Sequence, residues 1–597
     1  MAMRAARSAA VMLRSLLGLA VLAGVVAPSS AQETWNPFKQ WPETQPPRTS
    51  GPPSPKGGLM TPPGETPVDR ANLQPEPRFG PRDRPVERSE LAPVMAPDSS
   101  GMPLELWRGI DLKTFEELLS VLDLPPRSPS LHRLWRRMLL SAAPPPAGAP
   151  SPDHFLALRL EALYRSGLLS DMTEVIGGSV VSGPLIQVLG ARKDIGLGRR
   201  DAGCAAIKAL AAPSSGLPGR LKGETQLLAG YCAAAAGDAE GAGLAASLAR
   251  EEGVEAELPL SVLGGIATGT KPRLALPKRV LLLDYRFLEL LGPVNAAQIF
   301  EKAEPALLSA LAADGNADRR LQVAAAEAAL RLNALTPEAV ADVYRRQAGF
   351  AAGDADPTAR TADPLLRRAL LFRGVELSRS PPQQARMARA LLDDARRSGV
   401  LLQTAQMLAP VLADMPPSGE PALAEVGVEI AIAAGRFERA RRWAETAGAG
   451  HWLALIDVAD AGRRGGRVQT LGTIEQMAMR GRLSPDTLHR LATVLDALDI
   501  DVPIPLWDAA SRTPQPSGGY LPETGVLADL AQSAKRNDAG RTLLLAMRTL
   551  GADGPEGANV IALGDAIRAL RRIGLEAEAR RLGVEALLPV WPRMAGN

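Results

Sequence analysis

The chain has 597 residues, 46% of them hydrophobic and only 4% aromatic, which is too long for one compact core and predicts several domains or an extended array of repeats. Ala, Leu and Arg outweigh β-branched residues, a bias that favours helix because these side chains lose little freedom on entering one. With Arg4, Arg7 and Arg14 of the first 31 residues set aside, the 68 basic residues fall to 65 and match the 65 acids, so the remainder lacks the basic excess that nucleic-acid binding requires.

Arg4, Arg7 and Arg14 precede a short apolar run, Ser15 to Val26, broken by Pro28 and followed by the small residues Ser29, Ser30 and Ala31. This is the layout of a secretory leader, 1–31, cleaved after Ala31. The run is about 12 residues, shorter than the ~20 of a spanning helix, which favours cleavage over a retained anchor. The expectation is a periplasmic or secreted product with no transmembrane segment.

From 32 to 102 about one residue in four or five is proline, between Gly, Ser, Arg and Glu. Such a segment buries too little apolar surface to offset ordering, so a disordered tether is expected. Near its start, Trp35, Phe38 and Trp41 put three aromatics in a stretch with no core to join. Two readings stand: a docking motif for a partner, or an apolar patch that folds back on the body.

From Pro103 a helical pattern takes over. Start signals place a capping oxygen before a proline at Thr336-Pro337, Asp363-Pro364, Ser380-Pro381 and Ser484-Pro485. Stop signals are Gly167, Gly292, Gly399, Gly435, Gly448, Gly481 and Gly574, each able to supply the left-handed residue after a helix. These give helices of roughly 10–18 residues, about two dozen in all. A Pro-rich linker at 142–152 sets off a small helical cap, 103–141, from the main helical body, 153–597.

One junction recurs: a small residue ends a helix, and five residues later a small residue opens the next. Gly237 to Ala242, Gly435 to Ala440 and Gly574 to Ala579 show it, with looser copies from Gly167, Gly198 and Asn537. Their spacings are roughly one, three or six units of 34 residues. The pattern resembles the helix-turn-helix junction of tetratricopeptide repeats, in degenerate form, without the Trp-Leu-Gly opening of that family. The resemblance implies an α-solenoid of antiparallel helical hairpins with a concave protein-binding surface. Leu104 to Gly109 and Leu134 to Arg137 also resemble exported bacterial proteins labelled "antifreeze glycopeptide related". That label implies no function here, because such glycopeptides are tandem Ala-Ala-Thr units and the chain contains none.

The only cysteines, Cys204 and Cys232, fall in successive predicted helices at similar heights. In an oxidising compartment this predicts a disulfide; free buried thiols are the alternative, and the spacing is not that of a Cys-x-x-Cys redox pair. His132, His154, His451 and His489 are scattered, lack metal-ligand spacing, and read as surface or interface residues. Gly264 to Lys271 misorders the phosphate-loop Lys and Thr and reads as a loop; Gly196-Leu197-Gly198 has Asp201 where a dinucleotide fingerprint needs glycine. There is no G-x-S-x-G nucleophile elbow. Glu420, Glu425, Glu429, Glu576, Glu578 and Glu585 read as solvated helix faces. No cofactor or metal is implied.

Two basic clusters, Arg133, Arg136 and Arg137 around Leu134-Trp135, and Arg439, Arg441 and Arg442 beside Phe437 and Trp443, read as amphipathic helices with wet arginines. Arg439, Arg442 and Trp443 are the partner-docking candidates of the body, alongside Trp35, Phe38 and Trp41. The expected function is an exported, non-catalytic scaffold or adaptor that binds protein partners in the bacterial cell envelope. The alternatives are a peptidoglycan- or glycan-active enzyme with a carboxylate site, and a structural subunit of a homo-oligomer.

Overall fold

The computed structural model describes residues 100–593, apart from 180–182, 211–216, 218, 316, 348–362, 414 and 461–469. The expected leader, nearly all of the tether, and Trp35, Phe38 and Trp41 lie outside the described residues. Within them the fold is all-α: helices follow one another from Leu112 to Leu587, and extended segments meet only in isolated bridges such as Asp111 with Ala147.

The start signals act as capping chemistry predicts. Helices Pro337–Arg345, Pro364–Leu377, Pro381–Arg397 and Pro485–Ala497 each begin at the expected proline. Thr336, Asp363 and Ser484 accept the backbone N–H of Ala339, Leu365 and Thr487; Ser380 accepts none. All seven stop glycines have φ between 64° and 120°.

The recurring junction has one geometry in all six places. Gly167, Gly198, Gly237, Gly435, Asn537 and Gly574 have φ between 57° and 83°. The N–H of the following residue reaches back five residues, as Asp238 to the Ala233 carbonyl at 2.9 Å and Arg436 to that of Ala431 at 2.8 Å. One residue later the next helix starts, and the two flanking helices pack on each other. Ala242, Ala440 and Ala579 are fully buried there, small enough for the neighbouring helix to come close.

The two ends of the described chain meet. Helices Leu112–Ser120 and Pro129–Leu140, the expected cap, pack on Ala539–Leu550, and the second also on Glu576–Leu587. Trp107, Phe115 and Phe155 stack edge-to-face with centroids 5.1–5.6 Å apart. The Gly540 N–H donates to the Leu106 carbonyl at 2.8 Å; a Cβ on Gly540 would lie 2.5 Å from that oxygen, so only glycine permits the approach. Arg108 donates to the Asn537 carbonyl at 3.0 Å, and Ser130 N–H to the Glu585 carboxylate at 3.0 Å. Most buried apolar side chains from Met102 to Trp591 form one continuous core, beside a small second cluster at Leu308, Ala329 and Ala334.

Two expectations about polar residues need correction. Glu425, Glu429, Glu578 and Glu585 are buried, with Glu429 at 0% exposure, whereas Glu420 is exposed. Buried carboxylates need cationic or hydrogen-bonding partners, and Glu429 has Arg389 at 2.8 Å and Arg396 at 2.6 Å. His132 and His451 are also buried rather than at the surface; burial pushes each imidazole down to about 4, so both are neutral at pH 7.

Candidate functional site

Helix Pro129–Leu140 divides its faces sharply. Leu131, Leu134, Trp135, Met138 and Leu139 are buried, and Trp135 donates its indole N–H to Ser166 Oγ at 3.0 Å. Its three arginines turn to a cleft of about 810 Å³, where Arg159 from helix Pro152–Arg165 and Arg581 from helix Glu576–Leu587 join them. Glu174 is the one carboxylate residue that lines this cleft.

Four of the five guanidiniums are engaged. Arg136 holds Asp171 through two bonds of 2.6 and 2.7 Å. Arg137 donates to the carbonyls of Ser100 and Gly101 and pairs with Glu578. Arg159 donates to the Leu139 carbonyl at 2.6 Å, and Arg581 lies 3.5 Å from Glu578. Arg133 alone forms no hydrogen bond or salt bridge with a described residue. Burial first, then the facing Arg581, holds its pKa below the usual guanidinium range.

Arg133 and Arg581 also line a second cavity of about 480 Å³. Around it stand Pro129 and Ser130, Thr336 to Glu338, Leu402 and Gln406, the Ile432–Phe437 turn, and Val584 with Glu585. Glu585 is buried, and burial raises its carboxyl pKa despite the hydrogen bonds from Ser128 and Ser130. Glu338 and Arg436 are exposed, and the Arg436 guanidinium, like that of Arg133, forms no hydrogen bond or salt bridge with a described residue. This is a partly apolar cavity with guanidiniums at its rim and one carboxylate committed to capping a helix.

Comparison with protein-family models, curated proteins and solved structures finds no match for this chain.

The predicted site residues divide. Cys204 and Cys232 form the expected disulfide, Cα atoms 5.6 Å apart. Arg439 is tied to the carbonyls of Leu412 and Met415 at 2.8 and 2.6 Å, while Arg442 is exposed. Trp443 is corrected: it is 1% exposed and its indole lies over Gly427, so it is part of the core and not a surface anchor. Arg441, expected wet, is buried against Asp457. Gly264 to Thr268, expected as a loop, is the end of helix Glu257–Thr268. Among the described residues no three of His, Cys, Asp and Glu gather as metal ligands, and no helix is long and apolar enough to cross a membrane. Sequence reading missed Arg159, Arg436 and Arg581 as partners of Arg133. No local signal marks them, because they converge through contacts far apart in sequence; Arg137 and Glu578, for example, are 441 residues apart.

Proposed function

We propose that this chain is an exported, non-catalytic scaffold of degenerate tetratricopeptide-like helical hairpins that binds protein partners in the bacterial cell envelope. The observation that carries the reading is the cleft in which five arginines from three helices surround one lining carboxylate. Such a surface favours a partner that presents acidic groups, and arginine is the side chain best suited to bind carboxylates through paired bonds. The six identical helix junctions support the repeat reading, and the disulfide is compatible with an oxidising compartment. Trp35, Phe38 and Trp41 offer a second docking element on the tether.

The test is cross-linked capture of partners from envelope extract with the mature chain. Defined proteins should be retained, released by raised salt, and lost with Arg159→Glu. Cleavage of purified glycan with no protein retained would instead establish the enzyme alternative. A second reading, the homo-oligomer subunit, is favoured by Ile504 and Trp507, adjacent on helix Ile504–Ser511 and 83% and 50% exposed. A monomer by light scattering at high concentration would dismiss it.

A further inference from the structure

We infer that the 480 Å³ cavity is a binding site for a small organic anion, whose carboxylate or phosphate is held by Arg133 and Arg581 and whose apolar body lies against Leu402, Ile432, Phe437 and Val584. This deepens the scaffold reading by naming a ligand for the inner surface, although it does not depend on a protein partner being found. Three observations point to it. The volume lies within the usual range for small-molecule sites, roughly 300–1,000 Å³. The lining joins apolar side chains to three arginines, Arg133, Arg436 and Arg581, against two carboxylates. Of these, Glu338 is exposed, and Glu585 accepts the Ser130 N–H, with burial raising its carboxyl pKa.

The third observation is Arg133 itself. It projects from a helix whose opposite face is fixed in the core, so its placement is rigid at the Cα. Arg136 and Arg137 of its helix are held in salt bridges; Arg133 forms none, and its charged surroundings are Arg581, Glu585 and Glu578. A partly buried guanidinium that donates to no acceptor is unfavourable, and an anion between Arg133 and Arg581 would give Arg133 one.

The test is isothermal titration calorimetry on the full chain with four probes: 4-phenylbutyrate, phenyl phosphate, neutral 4-phenylbutyramide and inorganic phosphate. Either aromatic anion should bind, and whichever is tighter tells carboxylate from phosphate. The amide should bind at least tenfold more weakly. Arg133→Met should weaken the anion at least tenfold with little change in melting temperature, since it breaks no hydrogen bond or salt bridge among the described residues and keeps an apolar stem; Arg436→Met, at the exposed rim, should weaken it less. Arg512→Met, which lines neither cavity, should change nothing. The proposal is overturned if neither anion binds, if the amide binds equally, if inorganic phosphate matches phenyl phosphate, or if Arg133→Met binds as the native chain does. Loss of partner capture with anion binding intact would refute the scaffold alone.

Discussion

Removing the Glu429 carboxylate should destabilise the fold by about 3 kcal/mol. In Glu429→Ala the charge that faces two guanidiniums disappears, and Arg389 and Arg396 are left facing each other without an anion between them. Breaking a buried pair from one side typically costs 3–5 kcal/mol. The arginine side chains here are 21% exposed, and Arg389 keeps Glu425 at 3.6 Å, so water and that second acid moderate the loss toward the lower bound. For a chain of this length the unfolding entropy is about 1 kcal/mol per degree, which converts the loss into a melting shift of about 3 °C if the body unfolds as one unit. Urea unfolding followed by circular dichroism gives the free energy directly. Glu429→Gln, which keeps an acceptor, should fall between the alanine variant and the native chain. Adding Arg389→Met to Glu429→Ala should recover part of the loss by removing a stranded charge. A change below about 0.5 kcal/mol in Glu429→Ala, the level of ordinary surface substitutions, would refute the claim that this carboxylate is a buried structural ion.

Other substitutions test other parts of the fold. Cys204 and Cys232 are 28 residues apart, so replacing both with Ala should lower stability by about 3–4 kcal/mol through the freedom returned to the unfolded chain, read as a shift of the urea midpoint. Gly427→Ala would set a Cβ 2.6–2.8 Å from the Trp443 ring and should cost about 1–3 kcal/mol with a change in tryptophan emission. Burial raises the Glu304 carboxyl to about 7, so its contribution is fully present below the unfolded value of 4.5 and is lost as pH rises through 7. Glu304→Gln should therefore gain on the native chain between pH 4.5 and 7, by up to about 3 kcal/mol in urea titrations at several pH values. His451 runs the other way: lowered to about 4, it contributes above 6.5 and loses that contribution as pH falls toward 4, a loss His451→Phe should remove.

Helix boundaries were legible because they are written locally. Thr336-Pro337 and Gly435 each carry their own reason to start or stop a helix, whatever lies across the interface. Side-chain environments were less legible. Helix Pro421–Ala433 is buried around most of its circumference, from Leu423 to Ala433, so its sequence lacks the polar stripe that distinguishes a wet glutamate from a buried one. Glu429 is recognisable only beside Arg389 and Arg396 of another helix. Trp443 misled for the opposite reason. Its arginine neighbours suggested a surface position, and the room for its indole comes from the missing side chain of Gly427, a residue that gives no local sign of that role. The cleft arginines were half legible: the cluster on helix Pro129–Leu140 was visible as a pattern, and Arg581 was not, because nothing near Arg581 in sequence refers to residue 133.

The meeting of the two ends of the described chain also limits what the body can bind. A run of paired helices with free ends offers a long groove, and a groove suits an extended peptide. Here residues 100–141 lie on the last helices, held by Ser130 on Glu585, Arg137 on Glu578 and the Gly540–Leu106 contact. The recesses beside this joint are a cleft of about 810 Å³ and a cavity of about 480 Å³, with Arg133 and Arg581 common to both. A ligand at the cavity must then be compact, while the wider cleft can take a single projecting segment of a partner. Arg133 and Arg581 cannot neutralise two anions as fully as one, so occupation of one recess should weaken the other. Anion binding and partner capture would then compete: a small organic anion that binds the native chain should release partners held at the cleft, and should fail to release them from Arg133→Met. Simultaneous, independent binding at both recesses would show that the shared arginines do not link them.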